Sequence, residues 1–236
     1  MRSSVVKKRA GVGILAVLIA LVGVVTGGAA GASAKSANQF CADLTFKVPR
    51  LISMPSSPTA SELRAEAASL QTTGAAIAKI GGEAPSSLLG GYLTMSGGAL
   101  NEAASGFLKA ALVTGSARKS WIASAQAHLS AFNTDMGLAL PLEQSACTGF
   151  TQSGQAAMKV VGDAQTSAKA AKRAVGLTDV ASAIKRVTST AMPVRLVATK
   201  KSSMGFAIHL QISVKGVSYD QCSLFSSNGA TMEPCS

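Results

Sequence analysis

Histidine is nearly absent from this chain, and so are the aromatics. There are two histidines, one Trp, two Tyr and seven Phe among 236 residues. Two histidines leave no helpful spacing for a three- or four-ligand metal or haem site, so no metal and no cofactor is expected. Acids are scarce too: 11 Asp and Glu stand against 22 Lys and Arg. With few carboxylates and few rings to stack on sugars, a glycosidase pair has little to draw on. No Gly-x-Ser-x-Gly elbow and no phosphate-binding Gly-rich loop occurs. Ser-x-x-Lys appears at Ser116–Lys119 and Ser182–Lys185, but the partner motifs that give this spacing a catalytic meaning are missing. The expectation is that the chain is not an enzyme.

What the chain does have begins at its N-terminus. Arg2, Lys7, Lys8 and Arg9 precede an uncharged stretch, Ala10 to Ala34, whose centre from Ile14 to Val25 is almost wholly aliphatic and Gly. Gly27, Gly28 and Gly31 weaken a helix there, and Ala32-Ser33-Ala34 supplies a small-x-small cleavage site. This is the pattern of a secretory leader over 1–34, cleaved after Ala34, with an uncleaved N-terminal anchor as the alternative. No later segment is apolar enough to span a bilayer. Export would place the protein at the cell envelope or outside the cell. Its Ala-rich, aromatic-poor composition resembles that of exported proteins of GC-rich bacteria.

Four cysteines in an oxidising compartment read as two disulfides. Asn228-Gly229 is a favoured two-residue hairpin turn, and a hairpin centred on it sets Cys222 directly opposite Cys235. Cys41 is then left for Cys147. Pro234 disagrees with this hairpin, because it falls at a ladder position and has no N–H to donate.

The hydropathy pattern predicts a mainly α fold: a disulfide-tied antiparallel helical bundle followed by a small antiparallel β tail. An N-terminal segment over 35–58 carries Cys41 in a short helix, Asn38 to Leu44. The bundle occupies 59–190. Thr59 or Ser61 caps a helix with Leu63, Leu70, Ile77 and Ile80 on one stripe, stopped by Gly81-Gly82. A second helix runs from Pro85 to about Val113, broken or kinked at Gly97-Gly98. A third, capped by Ser116, ends at Leu140. Pro141 opens a fourth segment with Cys147, Gln155 to Val175 forms another helix, and Thr178 to Thr188 the last. The β tail covers 191–236. Val194, Leu196 and Ala198 alternate with Arg195, Val197 and Thr199, and Phe206, Ile208, Leu210, Ile212 and Val214 alternate strictly with Ala207, His209, Gln211 and Ser213. Lys215-Gly216 turns or bulges the chain before the final hairpin.

Positive charge is concentrated in one block. Nine basic residues lie between Lys159 and Lys201, opposed only by Asp163 and Asp179. Lys169, Lys172 and Arg173 share a helix face, Lys185 and Arg186 follow on the next helix, and Lys200 and Lys201 come at the strand turn. The block is a candidate anion-binding patch for envelope lipid, wall polymer or an acidic partner protein. Nucleic acid is disfavoured, because the compartment is wrong and no aromatic residue lies in the block to stack on bases. Two further readings stand beside this one: a carrier of an apolar ligand within the bundle, and a serine hydrolase with an unfamiliar site.

Overall fold

The computed structural model describes residues 34–51, 55–190, 192–202 and 205–235. The secretory leader expected from the sequence lies, up to Ser33, outside these. Among the described residues five helices precede four strands: α1 (Ala34–Phe46), α2 (Ala60–Gly82), α3 (Ser87–Ala111), α4 (Gly115–Ala170), α5 (Leu177–Thr190), β1 (Val194–Ser202), β2 (Gly205–Val214), β3 (Val217–Ser226) and β4 (Gly229–Glu233). The chain is thus a helical bundle followed by a four-stranded antiparallel meander, ordered β1-β2-β3-β4, and two disulfides are present. No described helix is long and apolar enough to cross a membrane.

Helix α2 starts with a complete capping box. The Thr59 hydroxyl accepts from the Glu62 N–H, and the Glu62 carboxylate accepts from the Thr59 N–H. Leu63, Leu70, Ile77 and Ile80 are all buried, and the helix ends at Gly82. Ser86, one residue after Pro85, caps α3 through the Leu89 N–H.

α3 runs unbroken through Gly97-Gly98, against the expected break. The glycines serve packing between helices. Gly74 of α2 faces Gly97 of α3, and Gly81 faces Gly90. A Cβ built on Gly97 would stand 2.5 Å from the Gly74 carbonyl, and one on Gly90 would stand 2.6 Å from the Gly81 carbonyl. The pairs repeat every seven residues on both antiparallel helices, and fully buried Ala67 and Ala104 extend the spacing at one end. The two backbones therefore touch along a seam, and the gain in dispersion contacts offsets the low helix propensity of glycine.

α4 also differs from expectation. The sequence pattern divides 116–175 into three pieces, whereas the structure has one helix of 56 residues, about 84 Å long. Its N-cap is Thr114, with no side-chain bond, rather than Ser116. Pro141 sits inside it and forfeits a single ladder bond, that from residue 141 to the Gly137 carbonyl. Ala139, fully buried, and Cys147, held by its disulfide, fix the helix on either side. Helix formation is cooperative, so one missing bond in so long a ladder does not end it.

Two cores share α4 as their spine. The first packs α1, α2 and α3 around Phe107, Leu93, Leu100 and the α4 residues Ala125, Ala139 and Phe150. The second packs the C-terminal half of α4 (Ala157, Val160, Ala164) and α5 (Val180, Ala183, Val187) against Ile208, Leu210, Ile212 and Phe225 of the sheet. Gly149 takes the Tyr219 side chain of β3 against its bare backbone, and Gly154 lies beneath Met232 and Gln221. These glycines, which read as helix breakers, form the seat of the sheet. A buried polar link adds register: Gln221 Nε2 donates to Ser153 Oγ at 2.8 Å, and Ser153 Oγ donates to the Phe150 carbonyl at 2.7 Å.

Three details of the sheet correct the sequence reading. The primed two-residue turn is at Lys215-Gly216, where φ is 49° and 82° and Val214 pairs with Val217. Only Gly229 takes a positive φ, 121°, in the last hairpin, whose loop is Ser227-Asn228 and whose first pair is Ser226 with Gly229. Cys222 therefore faces Glu233, and Cys235 reaches it from beyond the end of β4. This shift releases Pro234 from the ladder and removes the conflict noted above. Finally, β1 carries a bulge between Leu196 and Ala198, so Ala198 pairs with His209 on the polar face instead of continuing the apolar one.

Candidate functional site

The basic block falls into two parts. Lys169, Lys172 and Arg173 line one groove of about 820 Å³ between the C-terminal end of α4 and the sheet. Its base includes Ala168 and Phe225, both buried, and Gly205 and Gly229 are also in its lining. Lys201 pairs with Phe206, which also lines the groove, so Lys201 stands at the sheet edge on the same face. The remaining cations lie elsewhere. Lys200 pairs with Ala207 and so faces away from the helices. Arg186 of α5 turns to α4, where its Nε lies 3.7 Å from the Asp163 carboxylate and its Nη2 donates to Ser167 Oγ at 3.3 Å. Lys185 is exposed on α5.

The local sequence explains the groove's geometry. α4 ends in a Schellman motif: the Lys172 N–H donates to the Lys169 carbonyl and the Arg173 N–H to the Ala168 carbonyl. Lys172 takes the left-handed position, with φ 52°, where glycine is the usual choice. The next residue, Arg173, forks onto Asp179 with bonds of 2.6 and 2.7 Å. Asp179 in turn accepts from the Gly176 N–H at 2.8 Å. This clamp fixes the α4–α5 turn and commits the Arg173 charge. Lys169 and Lys172 have no carboxylate partner among the described residues.

The Arg173 hydrogen bonds, and then the Gly176 amide, hold the Asp179 carboxyl below its ordinary value. A depressed carboxyl stabilises the fold above its unfolded pKa, near 3.9, and this contribution is lost as pH falls through the folded value. Asp179→Asn is expected to lower the Tm at neutral pH. It should also flatten the fall of Tm below about pH 4, as thermal melts across acid pH would show. An unchanged acid limb would exclude the clamp as its source.

The sequence pointed to the cations but missed the floor beneath them. Phe206 and Phe225 are cross-strand partners and stack with ring centroids 4.9 Å apart and planes 14° apart. Counting outward from Lys215-Gly216 as a two-residue turn sets these two residues opposite each other, and that was the available signal.

Two other clusters have chemical interest. In a pocket of about 170 Å³ between α3 and α4, His128 Nδ1 lies 2.7 Å from Glu102 Oε2. Ser105 and Ser124 line it as well, and Lys109 Nζ sits 4.5 Å from the Trp121 ring centre. A carboxylate–histidine pair can orient a base. However, neither serine is hydrogen-bonded to His128, and the mid-helix backbone N–H groups are already used in the ladders. On the outer face of the sheet, ligand atoms of His209, Cys222 and Cys235 lie within 4.8 Å of one another. Both sulfurs belong to the Cys222–Cys235 disulfide, so neither is available as a thiolate.

No protein-family model matches this chain, and no curated protein or solved structure shows significant similarity to it. Its two disulfides are consistent with an oxidising environment.

Proposed function

We propose that the chain is an exported, non-catalytic binding protein of the cell envelope or exterior, and that it takes a phosphate-bearing anion at the groove beside Lys169 and Lys172. The supporting observation is Lys172 itself. A lysine held at positive φ costs about 1 kcal/mol relative to glycine, and this one occupies a cap where glycine serves the fold better. Lysine there also tempers the helix dipole, but Lys169 already does this in the last turn. What Lys172 adds is a second cation, without an acidic partner, on a groove that no carboxylate lines.

Lys172→Gly separates the two roles. It is expected to stabilise the fold by about 1 kcal/mol while weakening anion binding. Inorganic polyphosphate is a suitable probe, titrated from about 10 mM to about 1 M salt, over which the Debye length shrinks from about 30 Å to about 3 Å. Binding should be strong at low salt, fall steeply with salt, and be lost in Lys169→Glu/Lys172→Glu. Binding that ignores salt, or is absent at low salt, would overturn the reading.

A further inference from the structure

We infer that the natural ligand of this groove is a single-chain anionic amphiphile, with its phosphate or carboxylate head between Lys169 and Lys172 and its hydrocarbon tail along Phe206 and Phe225. This rests on the anion-binding reading above and names the ligand class for the same site.

A polyanion needs only an exposed row of cations, and the groove is built differently. Its volume, about 820 Å³, falls in the range of small-molecule sites. The cations stand on the helix rim, and the surface beneath them is mainly apolar: Ala168 and Phe225 at the base with half-buried Val175 and Phe206 beside them, while Gln165, Ser226 and Ser227 complete the lining. The chain has only seven Phe, and two of them stack here in a core otherwise made mostly of Ala, Val, Leu and Ile. Gly205 and Gly229 flank Ser226 across β2, β3 and β4 in the lining, and at Gly229 the space a side chain would fill is open, which gives an elongated ligand room there. Lys201, beside Phe206 at the sheet edge, adds a cation on the far side and no acid. Charge on the rim with hydrocarbon below complements a ligand that is anionic at one end and apolar along its length. It complements a neutral lipid or a bare phosphate polymer less well.

The test is a titration series on the intact protein with hexyl, octyl and decyl phosphate below their micelle concentrations, alongside inorganic phosphate and decanol. Affinity is expected to rise with chain length by up to about fourfold per methylene buried. Decyl phosphate should bind at least tenfold tighter than either inorganic phosphate or decanol. Phe206→Ala should cut decyl phosphate affinity by about tenfold and leave polyphosphate binding unchanged, whereas Lys169→Glu/Lys172→Glu should remove both. The chain-length series uses the unmodified protein, so it decides even if the Phe206 variant does not fold. No dependence on chain length, or decanol binding as tightly as decyl phosphate, overturns the inference. If polyphosphate still binds in that case, the anion site stands and only the amphiphile is wrong. If polyphosphate also fails at low salt, both readings fall.

Discussion

Gly97→Ala will destabilise this protein by up to about 2 kcal/mol, while the same substitution one residue later, Gly98→Ala, will stabilise it by about 0.5–1 kcal/mol. Both glycines lie inside α3, so both substitutions gain helix propensity. They differ in what a methyl group would meet. At Gly98 nothing lies within 4 Å. At Gly97 the new Cβ would stand 2.5 Å from the Gly74 carbonyl, 2.8 Å from the Ala78 Cβ and 3.0 Å from the Ala78 amide nitrogen. Two of those neighbours are backbone and cannot rotate away, so α2 and α3 must separate locally and loosen the contacts on either side. That overpacking costs about 1–3 kcal/mol, against which the propensity gain is about 1. For a chain of this size each kcal/mol moves the Tm by about 2–4 °C, so thermal melts of the two variants should fall on opposite sides of the parent. Two shifts of the same sign would mean that the seam is not in backbone contact. Gly90 and Gly91 repeat the contrast, with Gly90 against the Gly81 carbonyl and Gly91 open.

The same glycines show what the sequence could convey. Leu63, Leu70, Ile77 and Ile80 announce α2 because apolar periodicity is a local property, and strict alternation from Phe206 to Val214 announces β2 for the same reason. Glycine and proline are ambiguous by contrast. Gly97, Gly149 and Pro141 carry the local signature of a break, yet each is retained inside a helix because a distant partner compensates: the Gly74 backbone, the Tyr219 ring, and the packing of Ala139 with the tether at Cys147. Gly74, Tyr219 and, through the Cys147 tether, Cys41 lie far off in sequence, so local pattern could not weigh them. The cysteine pairs show the converse. Elimination and a turn signal led to the pairs that the structure joins, although the hairpin register behind the argument was two residues off. The groove was half legible: its cations lie close together on one helix, while its aromatic floor depends on the register of β2 against β3.

Removing the Cys41–Cys147 bond should cost more than removing Cys222–Cys235. The two crosslinks close loops of very different length, with sequence separations of 106 and 13. On chain entropy alone these correspond to about 4–5 and about 3 kcal/mol. The local context widens the gap. Phe40 and Cys41 of α1 are almost fully buried, and their burial depends on α1 staying against α4 and α2. The core beneath is rich in Ala, which buries little area per residue, so it has less apolar gain with which to hold the first helix unaided. Cys222–Cys235 ties the residues just after β4 to a sheet that is already seated on α4 through Gln221, Ser153 and Tyr219. Total stabilities of such domains run to about 5–15 kcal/mol, so Cys41→Ala/Cys147→Ala is expected to remove about a quarter or more of the total. Urea unfolding of the two double-alanine variants, compared as free energies because a freed unfolded chain also changes the m-value, gives the ranking directly. A larger loss in Cys222→Ala/Cys235→Ala would mean that the sheet, and not the α1–α4 tether, limits the stability of this fold.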